Sequence, residues 1–184
     1  MEKQILVAGF GGQGVLSTGL FLAYAAMAEG KNISYVPSYG AEMRGGTANC
    51  IVTISDDEIS SPLTDTPMQA IIFNRPSLDR FEDSIQPGGV LVINSSLVDR
   101  APRRQDLEVM QLPLTELAEE SGAPGSANMI VLGAYIAHTG IVNIDYVLNS
   151  FANIFKGKRS HTIEQNRKAF LVGVEYARTR WHRS

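Results

Sequence analysis

The opening stretch MEKQILVAGFGGQGVLSTG sets the strongest constraint on what this chain can fold into. A short apolar run, QILVA (4–8), leads into Gly9, Gly11, Gly12 and Gly14. A stretch with apolar residues at helical spacing, QGVLSTGLFLAYAAMA (13–28), follows, and Gly30 stands where a helix would be capped. Strand, glycine turn and helix in that order open a βα unit, because the glycines let the chain turn tightly and aim helix N–H groups at an anion. Gly9-x-Gly11-x-x-Gly14 also has the spacing of the dinucleotide fingerprint. That fingerprint asks for an acidic residue about 20 residues on, at the end of the second strand, to bind a ribose. The second strand is ISYVPS (33–38), and it runs into Pro37, Ser38 and Tyr39. Glu29 precedes it and Glu42 lies beyond it. The acid is missing where NAD or FAD would need it. The loop is left as a tight packing turn, a cradle for another phosphate-bearing ligand, or a partner surface.

Further strands and helices alternate along the chain. TANCIVTIS (47–55) has a period of two and reads as a strand, with DDEISSP (56–62) a turn and possible short returning strand. MQAIIFN (68–74), PGGVLVINS (87–95) and LEVMQLP (107–113) supply three more strands. PSLDRFEDSI (76–85) and LTELAEESG (114–122) supply helices, the first with proline at its start. From Ser126 the character is helical: 126–140, 143–155 and 162–180. This order predicts a three-layer α/β/α domain with a mostly parallel or mixed sheet and a helical C-terminal part. At 184 residues a single domain over 1–184 is expected.

A net charge of −3 gives no electrostatic footprint for nucleic acid. No apolar run approaches the roughly 20 residues of a membrane span. The N-terminus lacks the basic region of a signal peptide, so a cytoplasmic location is the expectation. Cys50 is the one cysteine, which excludes an internal disulfide and a thiolate cage for an iron–sulfur cluster.

The second glycine cluster, SYGAEMRGGTANCIVTISDDEISSP (38–62), is more specific. Gly45 and Gly46 put Arg44 on a tight loop just before a strand, where a guanidinium beside backbone N–H groups suits a phosphate or carboxylate. GFGGQGV (9–15), then SYGAEMRGG, a strand and ISSP (59–62), resembles the gamma subunit of the 2-oxoacid:ferredoxin oxidoreductases. These act on pyruvate, 2-oxoglutarate, branched-chain 2-oxoacids or indolepyruvate. The resemblance runs along essentially the whole chain, including the strand ending IIFN and the GGVLVINS turn. SYGAEMRGG is worded most like the 2-oxoglutarate branch, and some relatives carry proline where this chain has Ala41.

The resemblance implies a subunit rather than a complete enzyme. In that family thiamine diphosphate and magnesium lie between other subunits, and the iron–sulfur clusters sit on cysteine-rich ones. This chain has no GDG…N segment and no cluster spacing. The complex would convert a 2-oxoacid and coenzyme A to acyl-CoA, carbon dioxide and reduced ferredoxin, and this chain would be inactive alone. Its expected partners are those subunits, or a second copy when isolated. Gly11, Gly12, Gln13, Gly14, Arg44, Gly45 and Gly46 are the candidate anion or coenzyme A site. The rival readings are a stand-alone Rossmann-like oxidoreductase and a small-ligand or anion-binding module. Among other residues, His138 reads as a packed or capping histidine, Cys50 as a core thiol, and Ser55–Glu58 as a solvated acidic turn.

Overall fold

The computed structural model describes residues 2–39, 46–157 and 160–181. Six strands form one sheet: β1 (Lys3–Phe10), β2 (Asn32–Tyr39), β3 (Thr47–Ser55), β4 (Gln69–Ile72), β5 (Val90–Asn94) and β6 (Glu108–Leu112). Their order across the sheet is β2-β3-β1-β4-β5-β6. β3 pairs antiparallel with both β1 and β2, so β2 runs in the same direction as β1. β4, β5 and β6 continue parallel to β1. The sheet is therefore mixed, with β3 the reversed strand.

The helices are α1 (Val15–Ala28), α2 (Arg75–Phe81), α3 (Leu114–Glu120), α4 (Ala127–Thr139), α5 (Ile144–Ile154) and α6 (Ser160–Arg180). A short 3-10 turn, Glu82–Ser84, continues α2. Side chains alternate across the strands as the pleat requires. Ile5 and Val7 face a large core with Leu22 of α1, Tyr135 of α4, Phe151 of α5 and Phe170 of α6. Leu6 and Ala8 face a smaller core with Leu78 of α2, Ile85, Val98 and Leu107. The layers on the two sides are thus unequal.

Local signals explain the element ends. α1 stops in a Schellman arrangement: Gly30 at φ +81 donates to Met27 O, and Lys31 N–H reaches Ala26 O. Asn74 caps α2 by accepting from Ser77 N–H. α4 and α6 cross closely because each puts a glycine at the crossing. A side chain at Gly133 would run into the Phe170 carbonyl, and one at Gly173 into that of Ile130. The returning strand expected in 56–62 is absent; that segment is irregular. β3 already has a hydrogen-bonded neighbour on each side, so a strand folding straight back has no free side of β3 to pair with.

Candidate functional site

The glycine loop leaves the C-terminal end of β1, and Gly9 packs at its base. A Cβ there would lie 2.8 Å from both Phe73 Cβ and Val15 Cγ2, so the close packing of loop, helix and β4 requires glycine. Gly12 and Gly14 adopt φ +98 and +81, the left-handed region where L side chains are strained. Nothing lies within 4 Å of a Cβ built at Gly12, so that position needs glycine for its backbone rather than for space. Gly14 is the N-cap of α1, and the first helical bond runs from Thr18 N–H to Gly14 O at 2.8 Å. The amides of Val15, Leu16 and Ser17 precede that bond and point out of the helix end.

Gln13, one of the candidate site residues, also braces the loop. Its Oε1 accepts from Phe10 N–H at 2.7 Å and from Asn74 Nδ2 at 3.0 Å. That oxygen closes the loop on itself and ties it to the end of β4. Asn94, at the end of β5, continues the row by donating to the Phe73 carbonyl at 3.3 Å. Three amide side chains thus fasten adjacent strand ends along one sheet edge.

The two glycine clusters meet. Because β2 parallels β1, both loops emerge at the same edge, and Gly11 N–H donates to Gly46 O at 2.9 Å. Arg44 and Gly45 lie outside the described residues. This edge is also where chain direction switches. α1 packs into the large core on one face and α2 into the small core on the other, so the crevice beyond β1 and β4 is a topological switch point. Open α/β sheets bind ligands at such a crevice.

A third element arrives that sequence reasoning missed. A Cβ on Gly14 would lie 2.8 Å from Asn128 Cβ, which brings the start of α4 against the start of α1. Ser126, the N-cap of α4, makes no side-chain cap bond, and Asn128 is half-buried. The available signal was a serine just ahead of a long apolar helix. Two helix N-termini converging on one loop add two positive dipole ends, which favour an anion.

The same topology removes the dinucleotide reading. In a Rossmann sheet the strand beside β1 runs parallel to it and ends in the ribose-binding acid. Here β3 occupies that place and runs the other way, so the start of β3, with Gly46, stands at this edge.

The remaining candidates are structural. Cys50 is buried under Gly19, and desolvation pushes its thiol up to about 12. His138 is packed away with Nε2 2.6 Å from Glu108 Oε1. Asp56 pairs with Lys31 at 2.8 Å, and that hydrogen bond holds its carboxyl below the usual range. Among the described residues no group of three or more His, Cys, Asp or Glu side chains is placed to hold a metal ion. No described helix is long and apolar enough to cross a membrane.

A family profile described as pyruvate ferredoxin/flavodoxin oxidoreductase matches residues 4–176. The chain belongs to this family. Among curated members, it is 40% identical to the ketoisovalerate oxidoreductase subunit VorA of Methanothermobacter marburgensis. That match covers 96% of this chain and 37% of VorA, so the chain spans little more than a third of that relative. It is 34% identical to the 2-oxoglutarate synthase subunit KorC of Methanocaldococcus jannaschii, covering 97% of this chain and 95% of KorC. Among solved structures, the gamma subunit of a keto/oxoacid ferredoxin oxidoreductase from Geobacter sulfurreducens superposes with a TM-score of 0.81 at 28% identity. The match covers 96% of this chain and 99% of that one. A 2-oxoglutarate:ferredoxin oxidoreductase from Magnetococcus marinus, with 2-oxoglutarate, coenzyme A and succinyl-CoA bound, superposes with a TM-score of 0.86 at 26% identity. There the match covers 97% of this chain and 31% of the other. The gamma fold thus exists both as a separate chain and as part of a longer one.

Proposed function

We propose that this chain is the gamma component of a cytoplasmic 2-oxoacid:ferredoxin oxidoreductase complex. The complex oxidatively decarboxylates a 2-oxoacid, transfers the acyl group to coenzyme A and passes the electrons to ferredoxin. Thiamine diphosphate, magnesium and the iron–sulfur clusters belong to partner subunits. This chain contributes surface for assembly and an anion site for coenzyme A. One lone cysteine with a protonated thiol is a poor cluster ligand, which agrees with that division.

The observation that carries the site is the Gly11–Gly46 hydrogen bond. It joins the loop of Gly11, Gly12, Gln13 and Gly14 to the end of the segment bearing Arg44, Gly45 and Gly46. Free amides of α1 and α4 would receive a phosphate oxygen, Gly12 would let the backbone come close, and Arg44 would supply a full charge. A charge-assisted hydrogen bond of this kind is worth roughly 1.5–3 kcal/mol. The 2-oxoglutarate wording of SYGAEMRGG and the likeness to VorA point to different 2-oxoacids, and a substrate panel decides between them.

The test is Arg44→Ala in the reconstituted complex. The expected result is a raised Michaelis constant for coenzyme A, about tenfold or more for the loss of one charged contact, with the 2-oxoacid constant unchanged. Wild-type assembly and kinetics would remove Arg44 from the site.

A further inference from the structure

β2 forms one edge of the sheet, and among the described residues no strand lies beside it. Its eight residues, NISYVPSY, carry no charge. Exposed edges of this length are a template for pairing, and monomeric proteins commonly guard them with lysine, bulges or a covering segment. Pro37 is the sole such device within this strand.

Beside this edge runs an exposed apolar row on α1. Leu20, Tyr24 and Met27 are 36%, 40% and 52% exposed. They stand at i, i+4 and i+7 and so share one helix face. Leu16 continues the row one turn earlier, and the Tyr35 hydroxyl of β2 donates to its carbonyl at 3.1 Å. That bond fixes the row above β2. Half-buried Ile33 and Tyr35 lie on the same side of the sheet.

We infer that the β2 edge and the Leu20–Tyr24–Met27 row form a two-fold interface with a second copy of this chain. Antiparallel pairing of β2 with β2 about an axis perpendicular to the sheet sets Tyr35 opposite Tyr35, which keeps α1 of both copies on the same face and puts the two Ser34 residues diagonally across the axis. With no charge in the strand, self-pairing sets no like charges opposite, which is the condition a two-fold contact must meet. Seven paired residues, 32–38, at about 3.4 Å each make a ribbon roughly 24 Å long. Each copy's α1 lies about one strand spacing inside its own edge, so two α1 helices flank the seam roughly 14 Å apart, three strand spacings of about 4.8 Å. That separation exceeds the 8–10 Å of direct helix packing. The large side chains of Leu20, Tyr24 and Met27 from both copies fill the difference. A stable dimer buries on the order of 1,200–2,000 Å² in total, and the helix row adds apolar surface to the ribbon toward that need. This inference stands independently of the coenzyme A site, since β2's edge and α1's outer face are not part of the crevice.

The test is sedimentation of the purified full chain, with Ser34→Lys, Ser34→Glu and Tyr24→Lys variants. Ser34 lies on the sheet face opposite α1 and is half-buried, so its replacement leaves both cores intact. The wild type should be a dimer. Ser34→Lys should raise its dissociation constant about tenfold or more, because the two lysines meet near the axis. Tyr24→Lys should weaken the dimer without changing the melting temperature by more than a few degrees. Mixing Ser34→Lys with Ser34→Glu should restore dimers, which only contact between two copies through this strand explains. A monomeric wild type, or a dimer indifferent to all three variants, would overturn the inference. So would a monomer whose binding to thiamine-bearing partner subunits is lost in Ser34→Lys, which would assign the edge to those subunits.

Discussion

Gly11 N–H donates to Gly46 O at 2.9 Å, a bond between loops 35 residues apart in the chain. It exists because β2 runs parallel to β1 and β3 turns back between them. One sheet edge therefore carries both glycine clusters, and the start of α4 joins them at Gly14.

Gly12 separates conformational need from steric need. With φ +98 and open space around a Cβ, Gly12→Ala should cost about 1–2 kcal/mol from left-handed strain alone. Gly12→Val should cost at least as much and should also raise the coenzyme A Michaelis constant of the complex. Urea unfolding together with kinetics checks both. Equal stability of wild type and Gly12→Ala would show that the loop relaxes to negative φ.

Gln13 and Asn74 act as a pair. Each single alanine variant removes the 3.0 Å bond between them and also frees another partner, Phe10 N–H or Ser77 N–H. A double-mutant cycle on unfolding free energy should give a coupling of about 1 kcal/mol. Strict additivity would mean that the two side chains hold their loops separately.

Glu82 predicts an acid dependence. It is buried, and desolvation by itself would raise its pKa. The backbone N–H of Arg104 at 3.0 Å, the Arg100 guanidinium at 2.8 Å and the N–H of Arg103 outweigh that and hold it below the usual value. A depressed folded-state pKa means that the stabilisation is complete above the unfolded value of about 4.3 and is lost as pH falls through the folded one. Glu82→Gln should therefore cost roughly 2–3 kcal/mol at pH 7, and the deficit should shrink below pH 4. Denaturant titrations at several pH values test this, and a constant deficit would contradict it.

The α4–α6 crossing admits no side chain at its glycines. Gly133→Ala should destabilise by about 3 kcal/mol, the upper range for overpacking. Thermal unfolding measures it, and a loss under 1 kcal/mol would mean the helices separate easily.

Much of this was legible in the sequence because local pattern and fold agree. The period of TANCIVTIS, the glycines around α1, and the proline at the start of α2 each specify one local answer. The resemblance carried by GFGGQGV and SYGAEMRGG identified the family that the profile over 4–176 supports. What stayed hidden depends on distant pairing. The insertion of β3 between β1 and β2 is a register fact, and Asn128 reaches Gly14 across 114 residues. That Gln13 also ties the loop to Asn74 depends on a neighbour 61 residues away, which a sequence does not show. Gly133 and Gly173 carry no local signal; their role appears when the helices cross.

As the proposed gamma component, this chain completes a coenzyme A-dependent 2-oxoacid oxidoreductase. The direct measurement is viologen or ferredoxin reduction by the thiamine- and cluster-bearing partner subunits, with and without this chain, over a panel of 2-oxoacids. The rigorously purified chain alone should give no turnover. The chain and its partners combined should give coenzyme A-dependent turnover with acyl-CoA formed, and that turnover should be lost when the chain is left out. Turnover by the single chain, or full coenzyme A-dependent activity of the partners without it, would contradict the account.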